Sequence, residues 1–429
     1  MKSLLAPLTG LFKTTFSKNI AWTFMSQTIV ACGGLLLNVL IGNKFGTSGL
    51  GVFSQAFTVY ILLTLLADLG IANSTLKHIA EYSETAEERN KIFSSALLLA
   101  FIISATLTAV LLFLIHGFDI VLYNEKATLC ITFLLPGLPF FILNRVTLSY
   151  LNALQKMRLF SIIHSIRWVM LISMISGFIL FNFSLSKVLL AFLIVEASIF
   201  IWVVLYLIFK QKLPLSIDIP WVKEHLKFGT RVSLISLLSE GNNQTDILIS
   251  SFFLNESQLG IYSLASSVAK GLLMIPQVIA MNFNPIIANL WAKRDLENLQ
   301  MQIKTIKKKL AFISLPLILA VCLAYPVFAK FIMTDERFLQ SVPLFYLITV
   351  GVALCSMFIF NGSFLTMAGF PNWQLVHVVV VLVFNVLTTS VCVYFFGLTG
   401  AALATSLLYI FVVFSLYFFI KLKTGLKII

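Results

Sequence analysis

The chain has 429 residues, of which 59% are hydrophobic and 11% are charged, and its formal net charge is +13. Soluble domains carry about a quarter charged residues, so this composition excludes an ordinary soluble protein and is typical of a chain embedded in a lipid bilayer. The apolar residues are grouped into stretches that are separated by short polar loops.

Twelve of these stretches are long enough to cross a membrane, because a helical span needs about 20 apolar residues. The sequence therefore predicts an all-α polytopic membrane protein with twelve transmembrane helices. The predicted spans are 19–41, 52–74, 93–115, 127–150, 161–181, 188–209, 228–252, 260–284, 310–333, 343–367, 374–396 and 399–420.

The basic residues are distributed asymmetrically between the loops on the two sides of the predicted membrane. With a cytoplasmic N-terminus, 21 of the 30 Lys and Arg residues lie in cytoplasmic loops, 5 lie on the opposite side and 4 lie within spans. Basic residues accumulate on the cytoplasmic side of membrane proteins. The positive charge therefore reflects topology, which argues against a nucleic-acid partner and predicts that both termini are cytoplasmic.

A short repeat relates the two halves of the chain. The pentapeptide Leu50–Ser54 recurs as Leu259–Ser263, at an offset of 209 residues, and each copy opens a span. A unit of six spans returns the chain to its starting side, so the repeats are parallel. The sequence predicts an N-lobe at 1–209, a linker at 210–222 and a C-lobe at 223–429, as in a transporter built from two related bundles.

Poor helix formers occupy matched positions in the two halves. Gly33 and Gly34 lie in the middle of span one, and the same offset leads to Asn242 and Asn243, beside Gly241, in span seven. Such residues are common where transmembrane helices bend, and paired weak points are a pointer to a transport site. The alternative is close helix packing through small residues.

Ionisable side chains within spans are costly unless they face water or a partner, so each is a candidate functional residue. Lys270 lies near the middle of span eight, and the three arginines lie in the inner third of their spans. A Lys270–Glu240 pair would be a structural alternative to function, and Asp68 can also cap a helix or pair with Lys77. The candidates are Asp68, Arg145, Arg167, Glu196, Arg231, Glu240, Asp246 and Lys270.

Span seven carries several of these polar residues on one side. Glu240, Asn243 and Asp246 follow each other at intervals of three and form a stripe on an otherwise apolar helix. Because lipid would not tolerate such a stripe, we expect it to line a cavity.

Motifs of the common enzyme classes are absent from the sequence. It contains no GxxxxGK[ST] loop and no HExxH or paired Cys/His spacing, and its five cysteines all lie inside predicted spans. We therefore predict a protein that is not an enzyme and that has no catalytic residues, no metal and no cofactor.

Several motifs, taken in order, resemble those of polysaccharide repeat-unit flippases of the O-antigen transporter type, in the multidrug/oligosaccharidyl-lipid/polysaccharide (MOP) exporter superfamily. The likeness covers essentially the whole chain. The motifs are the two repeated pentapeptides, Ala67–Ile71, Leu151–Lys156 and Gly397–Ala402.

The resemblance implies two six-helix lobes in a MATE-like, V-shaped arrangement around a cavity. It implies that undecaprenyl-pyrophosphate-linked oligosaccharide moves from the cytoplasmic to the periplasmic leaflet of a bacterial inner membrane by alternating access. A polysaccharide polymerase and a chain-length regulator are further expected partners. Drug-exporting relatives commonly use a buried acid in span one, where this chain has only Gln27 and Asn38 as larger polar residues.

The same reasoning assigns roles to the candidate residues. The pyrophosphate is expected to meet Arg145, Arg167 and Arg231 first, with a surplus of two positive charges over Asp68, and then Lys270. Sugars would contact Asn242, Asn243 and Gln244. The candidates for coupling to H⁺ or Na⁺ are Glu240, Asp246, Glu196 and Asp68. A MATE-like cation or drug antiporter and a non-transporting subunit of a polysaccharide assembly complex are the alternatives.

Overall fold

The computed structural model describes residues 15–211 and 216–426. Within these ranges the regular secondary structure consists of α-helices and short 3₁₀ turns, without strands. The predicted all-α class is confirmed. The helices of the first half are α1 (Thr15–Asp68), α2 (Ile71–Glu81), α3 (Ala86–Gly117), α4 (Glu125–Leu134), α5 (Leu138–Ala153), α6 (Met157–Leu180), α7 (Leu185–Val188) and α8 (Leu190–Gln211).

The second half continues with one long polar helix and a series of apolar helices. They are α9 (Ile219–Ser250), α10 (Glu256–Gly271), α11 (Met274–Ala292), α12 (Leu296–Phe331), α13 (Ser341–Phe358), α14 (Phe364–Met367) and α15 (Pro371–Thr424).

Nine helical segments among the described residues are long and apolar enough to cross a membrane. Two of them, α1 and α15, have 54 residues each and are kinked at Gly46 and Gly397. A straight helix of that length would measure roughly 80 Å, more than twice the hydrocarbon thickness of about 30 Å. Each kink lies between two predicted spans, so each long helix accommodates two of them. The chain is a multi-pass membrane protein, and the count of twelve spans stays a prediction.

The glycines at these kinks have backbone angles that other residues rarely adopt. Gly46 has φ 70° and Gly397 has φ 54°. Glycine adopts positive φ without the steric cost that a Cβ atom brings. These two positions therefore let the helix direction change between consecutive predicted spans.

The chain forms two compact units. The first extends up to Leu40 and resumes over Val59–Leu237, and the second comprises Ile41–Thr58 and the chain from Leu238 onward. The chain thus passes between units inside α1 and α9 rather than in the predicted linker. The predicted lobes at 1–209 and 223–429 stay a prediction.

In the first unit, α5 lies at the centre and packs against α2, α3 and α8. The rings of Phe93 and Tyr150 are 4.5 Å apart between α3 and α5. In the second unit, α13 packs against α10, α12 and α15. A Cβ atom on Gly351 would lie 2.4 Å from the Ser406 carbonyl oxygen, so this glycine allows α13 and α15 to approach closely.

The N-terminal part of α9 belongs to the first unit through a buried histidine. His225 lies within hydrogen-bond distance of Ser74 through Nδ1 (2.8 Å) and of the Ile92 carbonyl oxygen through Nε2 (3.0 Å). Burial, as the main cause, lowers the pKa of His225 to about 4, and the charge of His78 acts in the same direction. The Ile92 hydrogen bond and the charge of Glu224 oppose this shift. His225 is therefore neutral at pH 7.

The predicted bends do not interrupt the helices. Helix α1 remains helical through Gly33 and Gly34, and α9 remains helical through Gly241. A Cβ atom on Gly33 would lie 2.6 Å from a ring carbon of Trp168 in α6. The contact favours the close-packing alternative for Gly33, and the helix break of α1 lies at Gly46 instead.

The repeated pentapeptides contact each other within the second unit. A Cβ atom on Gly51 would lie 1.8 Å from the Glu256 carbonyl oxygen, and one on Gly260 would lie 1.9 Å from the Thr47 carbonyl oxygen. Hydrogen bonds flank this crossing. Thr47 Oγ1 is 2.7 Å from Ser257 Oγ, and Ser48 Oγ donates to Glu256 Oε2. Gly51 and Thr47 correspond to Gly260 and Glu256 at the 209-residue offset. The two copies of the repeat therefore contact each other through equivalent residues.

Candidate functional site

The second unit contains a buried carboxylate at the meeting point of α9 and α10. Asp246 is only 2% exposed, and its Oδ2 atom accepts hydrogen bonds from Tyr262 Oη (2.6 Å), Ser266 Oγ (3.2 Å) and Lys270 Nζ (2.8 Å). These three donors are spaced four residues apart and therefore share one face of α10. The other oxygen, Oδ1, is buried and has no hydrogen-bond partner in the described part of the chain.

Lys270 is held from two directions. Besides its ion pair with Asp246, its ammonium group donates to the Asn243 carbonyl oxygen at 3.0 Å. The predicted pairing with Glu240 is wrong, because the donor face of α10 meets α9 at Asp246. Glu240 is exposed and accepts a hydrogen bond from Asn243 Nδ2 at 3.3 Å. The predicted polar stripe is therefore divided, with two exposed members and one buried member.

The amide candidates of α9 have different surroundings. Asn242 accepts hydrogen bonds from Asn385 Nδ2 on both its carbonyl oxygen (3.0 Å) and its side-chain oxygen (2.9 Å). Asn385 in turn accepts from Thr389 Oγ1 at 3.1 Å. Asn242 thus connects α9 to α15. Asn243 is exposed and Gln244 is half-buried.

The first unit contains a second buried carboxylate. Glu196 in α8 is 2% exposed and accepts hydrogen bonds from Arg167 Nε (2.6 Å) and Asn144 Nδ2 (2.9 Å). The Arg167 guanidinium also lies 4.7 Å from the centre of the Phe141 ring. A cation, an amide and an aromatic face therefore surround the charge, as a buried ion pair requires.

A third carboxylate lies at the end of α1. Asp68 is buried, its Oδ1 accepts from the Ala72 backbone amide at 3.2 Å, and its Oδ2 is 3.8 Å from Arg145 Nε. Asp68 thus binds a backbone amide in the first turn of α2, while Gly70 occupies the N-cap position. The suggested pairing with Lys77 is wrong, because Lys77 pairs with Glu81 one helical turn away, at 3.5 Å.

These contacts correct the expected charge surplus. Arg145 and Arg167 each have their own carboxylate, Asp68 and Glu196, so two arginines do not share one acid. The expectation was wrong because Glu196, assigned to the middle of span six, reaches Arg167. The side chain of Arg231 lies outside the described set. The assignment of the three arginines to substrate binding stays a prediction.

Several residues that hydrogen-bond in these networks are not marked as functional candidates by the sequence. Tyr262, Ser266, Asn144, Asn385 and Thr405 are uncharged, and polar residues of this kind are common inside membrane helices. One signal was available, because Tyr262, Ser266 and Lys270 recur at intervals of four in α10. Thr405, whose hydroxyl lies 2.6 Å from that of Tyr262, has no such pattern.

Both units therefore hold a deeply buried carboxylate next to a cation. Removing either partner would leave an uncompensated buried charge, which costs about 3–5 kcal/mol. Asp246 has one further property, because its Oδ1 atom has no hydrogen-bond partner among the described residues and can accept a proton or a hydrogen bond. Asp246 is therefore the candidate of the second unit for coupling to a proton or a small cation, an assignment that stays a prediction.

Known proteins provide two kinds of similarity. A family model described as polysaccharide biosynthesis protein matches residues 16–291. A segment of 89 residues is 30% identical to the lipid III flippase of Escherichia coli (strain K12), and it covers 20% of this chain and 21% of that protein. The chain thus matches about a fifth of the length of this curated relative.

The fold is similar to that of two solved transporters. An inward-facing multidrug resistance MATE family transporter of the MOP superfamily has a TM-score of 0.77 and 16% identity, covering 92% of this chain and 94% of that chain. The lipid II flippase MurJ in an inward closed conformation has a TM-score of 0.75 and 18% identity, covering 94% of this chain and 87% of that chain. At these identities the likeness shows the fold.

The predicted superfamily and MATE-like fold are confirmed by these matches. The family model covers more than half of the chain, and it includes α1–α10, the helices that carry all three buried carboxylates. The chain belongs to the polysaccharide biosynthesis protein family of the MOP superfamily.

Proposed function

We propose that this chain is a flippase for undecaprenyl-pyrophosphate-linked oligosaccharide repeat units of a surface polysaccharide such as O-antigen. The family match over residues 16–291 carries the proposal. Two similarities add to it, since one relative is named as a lipid III flippase and one structural neighbour as a lipid II flippase. The direction would be from the cytoplasmic to the periplasmic leaflet of a bacterial inner membrane, with both termini in the cytoplasm.

The physical task is to move a pyrophosphate across hydrocarbon, where an unpaired charge is prohibitively costly. Fixed cations inside a helical bundle lower that cost. Lys270 is the candidate cation of the second unit, and it is occupied by Asp246. The substrate must therefore compete with this carboxylate for the ammonium group.

Protonation of Asp246 would resolve the competition. A proton taken from water adds to the free Oδ1 atom, neutralises the carboxylate and weakens its hold on Lys270. The ammonium group then becomes available to the pyrophosphate, and loss of the proton restores the ion pair. This step couples proton uptake to substrate binding. Na⁺ at the same oxygen is the alternative coupling ion, and Glu196, Glu240 and Asp68 are the weaker candidates.

Sugars would contact the exposed amide of Asn243 and the half-buried Gln244, while Asn242 is already bonded to Asn385. A polymerase and a chain-length regulator would then act on the exported units. A cation or drug antiporter is the alternative, and the fixed cations beside Asp246 and Glu196 make these two carboxylates less suited to a cationic substrate.

The test is complementation of a bacterial strain that lacks its own repeat-unit flippase but synthesises the lipid-linked oligosaccharide. Expression of this chain should restore surface polysaccharide, and Asp246→Asn, which keeps the shape and a hydrogen-bond acceptor, should abolish it at a normal protein level. Accumulation of lipid-linked oligosaccharide on the cytoplasmic side despite normal expression would contradict the proposal. Resistance to cationic drugs without polysaccharide export would favour the antiporter, and neither activity would favour the subunit of an assembly complex.

A further inference from the structure

A groove outside the buried networks opens in the first unit, where the loop between α5 and α6 meets α8. Its volume is about 430 Å³. Its polar lining consists of Gln155, Lys156, Arg158 and Tyr206. Two cations, one amide and one hydroxyl thus face the same space, and the described lining contains no carboxylate.

The potential at this groove is positive. Partial burial, the larger cause, lowers the pKa of Lys156, and the charge of Arg89 acts in the same direction while Tyr206 opposes it. Arg89 therefore lies near Lys156, outside the lining of the groove itself. Within residues 15–211 and 216–426, neither Arg89 nor Arg158 forms an ion pair with a carboxylate. The cluster has a net charge that an anion can neutralise.

The arginine of the groove is held in position. The Arg158 guanidinium lies 5.7 Å from the centre of the Trp22 ring in α1, a cation–π geometry. Arg89 Nη1 donates to the Ser83 carbonyl oxygen at 2.8 Å, and its buried Nε has no partner in the described part of the chain. A preorganised guanidinium loses less entropy on binding phosphate than a free one does.

The remainder of the groove is apolar. Met157, Leu159 and Ile162 line it, all in the first turns of α6. Lys156 directly precedes α6 and Arg158 lies in its first turn, on the side of the membrane where basic residues accumulate and which we predict to be cytoplasmic. The start of α6 therefore presents basic and apolar side chains to the same space, a combination that suits a lipid with a charged head group.

We propose that this groove is a loading site for the diphosphate group of a polyprenyl-linked saccharide on the cytoplasmic side. Three cations suit a head group with about two negative charges better than a phospholipid with one. The inference rests on the proposed function, because it names where that substrate first binds. It also assigns the first contact to Lys156 and Arg158, which line the groove, with Arg89 nearby.

The test uses the purified full-length chain in nanodiscs and undecaprenyl diphosphate as the probe, with native mass spectrometry as the readout. The variant is Lys156→Gln/Arg158→Gln, and the control is Lys304→Gln/Lys308→Gln, which removes two exposed lysines from α12. We expect at least tenfold weaker binding in the first variant and unchanged binding in the second. The thermal unfolding midpoint should be unchanged in both, since these side chains are exposed.

Three results with the variants would overturn the proposal. They are equal binding by the wild type and the groove variant, equal loss in the control variant, and an equal loss of phosphatidylglycerol binding, which would identify a general phospholipid site. A wild-type chain that does not bind undecaprenyl diphosphate would also overturn it. Complementation by the groove variant separates the two hypotheses, because full export with unchanged probe binding removes the groove but leaves the flippase function intact.

Discussion

Gly51→Ala tests the reciprocal contact between the repeated pentapeptides. The added Cβ atom would lie 1.8 Å from the Glu256 carbonyl oxygen, whereas an ordinary contact needs about 3.4 Å. The obstacle is backbone rather than a flexible side chain, so α1 and α10 must separate by roughly 1.5 Å. Overpacking of this kind costs about 1–3 kcal/mol. The population in which α1 and α10 make this contact should therefore fall at least about tenfold.

The assay is disulfide formation between Thr47→Cys and Ser257→Cys, whose side-chain oxygens are 2.7 Å apart in the native chain. The five native cysteines are replaced first. Gly51→Ala should reduce cross-linking strongly, while Gly271→Ala, at the end of α10, should not, because an added Cβ there meets no atom within 4 Å. Equal cross-linking in wild type and Gly51→Ala, with unchanged thermal stability, would refute the reasoning.

Three further predictions concern the buried polar groups. Lys270→Met should lower the free energy of unfolding by about 3–5 kcal/mol, because it leaves the Asp246 carboxylate without its cation. Adding Asp246→Asn should recover most of this loss in thermal unfolding. If the two residues do not stabilise the fold as a pair, the second substitution will not restore stability. Lowering the pH from 7 to 5 should destabilise the first unit by about 2 kcal/mol, because His225 has a pKa of about 4 in the folded chain and 6.5 in the unfolded chain. The stability that neutral His225 contributes is lost as the pH falls from 6.5 toward 4. His225→Asn should remove this pH dependence, measured by hydrogen exchange. Asn385→Leu should cost about 1–3 kcal/mol by leaving Asn242 without its donors, measured as a thermal shift, and no shift would mean that water replaces the amide.

The amino-acid sequence by itself determined the class of the protein and the places where its chemistry can occur. The apolar stretches specify membrane helices because a lipid core accepts little else. The offset of 209 residues located two segments that do contact each other, at Gly51 and Gly260. Three of the four intramembrane acids that the sequence marks, Asp68, Glu196 and Asp246, are buried next to a cation, whereas Glu240 is exposed.

Only the tertiary structure decided which partners these residues have. Sequence spacing sets the face of one helix, but the pairing of two faces depends on how each helix is rotated and which neighbour it meets. Lys270 therefore pairs with Asp246 rather than with Glu240, and Arg167 of α6 pairs with Glu196 of α8. The groove at Lys156 and Arg158 also cannot be predicted from the sequence, because its wall includes Tyr206, about fifty residues further along the chain. Charge can be counted along a sequence, but whether it is already neutralised depends on distances in space.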